Sequence, residues 1–120
     1  MAHEAVTKEL LSQLNHLGNE IHSRRVQTFF HRQPEAQREQ FLAYREELTI
    51  MTKRLAKQNL DPLTGKLERL FVQLQKQIDL MHQSVSDLRK ADRIIEDFAS
   101  VLDLLSRVIS MKKHVTEPTG

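Results

Sequence analysis

The side chains best suited to chemistry in this sequence are its six histidines, some of them spaced to stand beside a carboxylate on a helix. His16 and Glu20 are four positions apart, and Asp79 and His82 three apart, so each pair shares one helix face. Imidazole and carboxylate are metal ligands, and that is the chemistry such pairs suggest. Nucleophilic catalysis has no basis here. There is no cysteine, and no serine lies in a Gly-x-Ser-x-Gly turn. No glycine-rich loop is available to cradle a phosphate. Glu46 and Glu47 are adjacent, so on a helix they point in different directions and do not form an acid–base pair.

The histidine pairs fall short of known metal patterns. Carboxylate-bridged di-iron bundles carry a Glu-x-x-His on each of two helices plus further glutamates. This sequence has one such pair, with Asp in place of Glu, and lacks the run of histidines at spacing four that a hemerythrin-like site needs. The expectation is surface histidines, with no metal, no cofactor and no catalytic residue assigned. His3-Glu4-Ala5-Val6-Thr7 resembles the His-Glu-x-x-Thr phosphoacceptor pattern of histidine kinase dimerisation helices over five residues. That resemblance implies phosphotransfer. The sequence departs from the family in placing the histidine third in the chain, in lacking its proline and in having no ATP-binding domain after it. The His-x-x-Lys-Gly motif of histidine phosphotransfer proteins is absent, since Leu17-Gly18 follows His16.

Basic pairs occur at Arg24-Arg25, Lys53-Arg54, Arg89-Lys90 and Lys112-Lys113. They fall near expected helix ends, where cations complement the helix dipole. The formal net charge is only +2, and acids alternate with bases, as in the four-spaced pairs Glu20–Arg24 and Asp103–Arg107. A small dimeric nucleic-acid-associated regulator is therefore the second functional reading, behind a protein-binding one. Phosphotransfer is third.

Two features favour a protein partner. In the last apolar segment Ile94, Val101 and Val108 flank the main stripe, while Leu104 and Met111, seven apart, lie opposite on a face that should be solvated. The other feature is Phe29-Phe30-His31-Arg32. Adjacent phenylalanines cannot both face one seam, so Phe29 is expected to close the bundle end and Phe30 to project outward. Aromatic and arginine side chains are the usual anchors of an interface. The candidate partner-binding set is Phe29, Phe30, Arg32, Val101, Leu104, Val108 and Met111.

The elements that must position these residues are helices. Hydrophobic residues make up 39% and charged ones 28%, with only three glycines and three prolines among 120 residues. That is the composition of one folded, helix-rich domain. Val6, Leu10, Leu14, Leu17 and Ile21 form a first stripe, on a helix that must end before Pro34. A mid-helix Gly18 beside this stripe suggests close contact between helices. Pro34 reads as the first residue of a second helix, with the stripe Phe41, Tyr44, Leu48, Met51 and Leu55 and a left-handed cap at Asn59.

A third helix starts at Asp61-Pro62 or at Thr64 and carries Leu63, Leu67, Leu70, Phe71, Leu74, Ile78, Met81, Val85 and Leu88. The stripe then slips, because its continuation puts Asp92 on the seam. A break is expected within 83–92, where Ser84 and Asp87 resemble a capping box. The last helix follows, with Ala91, Ile95, Phe98, Leu102, Leu105 and Ile109.

The expected fold is all-α: an antiparallel up-down-up-down four-helix bundle over 1–114, with a frayed tail over 115–120. The alternative is two shorter helices plus one helix from Thr64 to Lys113, about 70 Å long at 1.5 Å per residue, in an extended dimer. No apolar run reaches the roughly 18 residues of a membrane span. No basic-then-apolar leader opens the sequence, so a cytoplasmic location is expected. The functional expectation is a non-enzymatic interaction module (adaptor, small chaperone, inhibitor or assembly subunit) that binds another protein or itself, with a homodimer favoured. In size and helix content it looks like the small secretion and flagellar chaperones, an analogy of class alone.

Overall fold

Among the described residues five helices form where four are expected: α1 Ala2–Ile21, α2 Arg24–His31, α3 Glu35–Lys57, α4 Gly65–Asp87 and α5 Ala91–Thr116. The structure, a computed structural model, describes residues 2–58 and 65–116, with side chains for 7–58 and 65–111. The proposed caps at Asn59, Asp61-Pro62 and Thr64, the apolar Leu63 and the tail 117–120 lie outside the described residues. So do the side chains of His3, Val6, Lys112 and Lys113. Among the described residues there is no strand, and no helix is long and apolar enough to cross a membrane.

The additional helix comes from a break at His22–Ser23. Ile21 ends the first stripe, and in an unbroken helix Val26 would sit about 140° around from it. The break turns Val26 and Phe30 inward, leaving them 0% and 2% exposed. Ser23 takes an extended conformation and caps α2, its hydroxyl accepting from the Val26 amide. The break also separates the expected Glu20–Arg24 pair. Glu20 bonds His82 instead, whereas the Asp103–Arg107 pair forms at 3.2 Å.

The second break lies between Asp87 and Ala91, inside the expected window, so the single long helix of the alternative reading does not form. Its device differs from the one expected. Ser84 and Asp87 belong to the last turn of α4 and do not begin a helix. The turn is made by Leu88, at φ 47 the one non-glycine residue with positive φ among those described, whose amide bonds the Ser84 carbonyl. The Ser84 hydroxyl donates to the Asp97 carboxylate across the turn.

One core cluster draws on every helix. Among the described residues the stripes of α1, α3 and α4 meet the core where expected, with Tyr44, Met51 and Leu70 only partly buried at its edge. Leu14, Leu48 and Leu74 are 1%, 2% and 0% exposed. In α5 the centre of the stripe is one residue off the expected position. Ile94, Phe98, Val101, Leu105 and Val108 are the fully buried set, while Ile95 and Leu102 retain 7% and 5% exposure. The cause is that α5 packs against both α3 and α4, so its apolar arc must serve two neighbours.

Side-chain contacts fix the helix directions. Gln37 and Phe41 of α3 meet Asp92 and Phe98 of α5, so these neighbours run the same way. Ser84 of α4 meets Asp97 of α5, and Leu70 shares a groove with Met111, so that pair is antiparallel. The end of α1 lies at the end of α4. Glu20 bonds His82, and Arg25, just beyond the break, donates to the Val85 and Ser86 carbonyls at 3.2 and 2.6 Å. Those carbonyls belong to the last turn of α4, which has no intrahelical donors left for them.

Candidate functional site

The seven residues proposed to meet a partner divide sharply. Val101 and Val108 are wholly buried, so the flank of α5 is core and not surface. Phe30 is buried as well, contrary to the expectation that it projects. Its ring stacks on Phe41 at 4.0 Å and 7°, and Phe41 meets Phe98 edge to face at 6.0 Å. Phe29 is the outer member of the doublet, half-buried and T-shaped against Phe30 at 5.1 Å. Arg32 is exposed at the end of α2, where its backbone amide closes the helix on the Phe29 and Phe30 carbonyls.

Leu104 and Met111 are half-buried against the edge of the core. Met111 and Leu70 form the apolar floor of a shallow groove of about 440 Å³ between α4 and α5. Lys66, Arg69 and Arg107 stand around it, with Gln73 and Ser110, and no acidic residue is in the lining. Arg107 is engaged with Asp103; Lys66 and Arg69 have no carboxylate partner among the described residues. Sequence reasoning located Met111 but not the cationic rim. Lys66 and Arg69 come to Arg107 only through the pairing of α4 with α5, and no spacing in the sequence encodes that.

Packing also assembles a group that the sequence presents as two unrelated pairs. His16 and Glu20 of α1 face His82 of α4, and their ligand atoms all lie within 4.8 Å of one another. His82 Nδ1 is 2.6 Å from Glu20 Oε2, and the His16 and His82 rings are 4.9 Å apart, tilted by 49°. Asp79, the expected companion of His82, is exposed and outside the group. The spacing of four between His16 and Glu20 was the legible half of this cluster. The other half depends on the close approach of α1 to α4. Compared with family models, curated proteins and solved structures, the chain matches none.

Proposed function

We propose that this chain is a non-enzymatic helical interaction module whose α4–α5 groove receives an acidic amphipathic helix of a partner protein. The scaffold is an up-down-up-down four-helix bundle of α1, α3, α4 and α5. Its support is the alternating direction of those helices and a ring of contacts running α1–α3–α5–α4. In that ring α1 beside α4 and α3 beside α5 are parallel neighbours, so the bundle is not antiparallel throughout.

The observation that carries the reading is the groove's chemistry. An apolar floor of Leu70 and Met111, continued along α5 by half-buried Leu104, is bordered by three cations. A helix with apolar residues at three- and four-residue spacing lays such a face into a groove of this kind. Acidic residues on its flanks would meet Lys66, Arg69 and Arg107, which speeds encounter and selects the partner.

Photo-reactive residues at Gln73 and Ser110, with Glu46 on α3 as control, test this in the native host. The expected adduct joins Gln73 and Ser110 to a segment mixing acidic and apolar residues. It disappears in the Lys66→Glu, Arg69→Glu double variant. Equal adducts from Glu46, or insensitivity to charge reversal, overturn the reading. An adduct with a second copy of the chain replaces it by self-association, and one with nucleic acid by the nucleic-acid reading.

A further inference from the structure

We infer that His16, Glu20 and His82 form a binding site for a divalent transition metal, zinc fitting best, that ties α1 to α4. The donor set is two imidazoles and a carboxylate, which suits zinc and its neighbours in the first transition row and not the oxygen-seeking calcium or magnesium. His16 and Glu20 stand at the four-residue spacing by which a helix offers two ligands to one ion. His82 approaches from a helix remote in sequence, so the ion cross-links two elements.

The geometry is close to what coordination requires. Ligands of a tetrahedral zinc about 2.1 Å away are about 3.4 Å from each other. The three here already converge within 4.8 Å, so modest side-chain rotation closes the set. Side-chain exposure of 29% for His82 and 22% for Glu20, with His16 exposed, leaves a solvent-facing position for water as a fourth ligand. The Glu20–His82 bond accounts for two members of the cluster in the ion-free protein. It does not account for the second imidazole 4.9 Å from the first, which gains most when a cation lies between them.

The full chain, stripped with a chelator, is titrated with Zn²⁺ by calorimetry and melted across a zinc series. Saturable binding of one ion per chain is expected, with a melting temperature that rises with zinc as mass action requires. His16→Ala, His82→Gln and Glu20→Gln should each weaken binding on the order of tenfold or more, since losing a ligand costs at least as much as losing the group that orients one. His31→Ala, at the exposed end of α2, should leave binding unchanged. Co²⁺ should give the visible absorption of a low-coordinate site, and His16→Ala should abolish it. His16 is exposed, so its variant keeps the fold even where a change at His82 does not. Unchanged zinc affinity in His16→Ala, or no thermal shift of the wild type in millimolar zinc, overturns the inference. The cluster lies toward the opposite end of α4 from the groove, so either result leaves the partner reading standing.

Discussion

At the scale of single residues, burial depends on phase, and phase is where adjacent apolar residues mislead. The Phe29-Phe30 doublet says that one ring faces inward, and only the break at Ser23 decides that it is Phe30. Phe30→Ala should therefore cost about 3–5 kcal/mol, a buried aromatic lost from a stack, and Phe29→Ala about 1 kcal/mol. Urea denaturation of the two variants measures this, and the reverse order would mean that α2 is rotated. Leu14→Ala, Leu48→Ala and Leu74→Ala should each cost about 2–5 kcal/mol, with Leu102→Ala at the low end because it keeps 5% exposure. The three leucines were legible because each is mid-stripe, with an apolar neighbour three or four positions away on each side. Leu102 marks the limit of that signal, since α5 is apolar over so wide an arc that its centre is ambiguous by one residue.

At the scale of elements, the boundaries were legible wherever local chemistry made them. Pro34 ends one segment, and the misplacement of Asp92 forecasts the α4–α5 turn. What the sequence hides is how the turn is made. Leu88 adopts the left-handed region that glycine usually supplies, while its side chain packs half-buried on the core. Leu88→Ile retains the apolar volume, yet it forces a β-branched residue into positive φ, at a cost of about 1–3 kcal/mol. An account based on volume alone expects almost no change, so thermal unfolding of this variant separates the two. Gly18 gives the opposite sign. It was expected to permit a close helix contact, but a methyl group there would meet nothing within 4 Å. Gly18→Ala should stabilise the protein by about 0.5–1 kcal/mol through helix propensity and the unfolded chain. A loss of stability would show that a neighbouring helix approaches Gly18 more closely than that open space allows.

At the scale of the whole molecule, the extents of 50 × 29 × 19 Å decide against a rod, which would need about 70 Å for one helix over the same stretch. Helix count and apolar faces follow from periodicity, but which helix stands beside which does not, and both candidate sites depend on that neighbour relation. The groove needs α4 beside α5; the histidine cluster needs α1 beside α4. The same relation governs how the molecule unfolds. All five helices contribute to one core cluster, and the Phe30–Phe41–Phe98 rings join α2, α3 and α5 in a single contact chain. No helix holds an apolar face of its own to fall back on, so helix loss and core loss should occur together. The only tyrosine, Tyr44, lies 5.6 Å from Phe98 and reports on the α3–α5 contact, with no tryptophan to obscure its emission. Urea transitions followed by helical circular dichroism and by Tyr44 fluorescence should therefore coincide, as two-state unfolding demands. A tyrosine transition that precedes the loss of helix would show that α3 leaves α5 while the α4–α5 hairpin persists. The core would then be two units and not one.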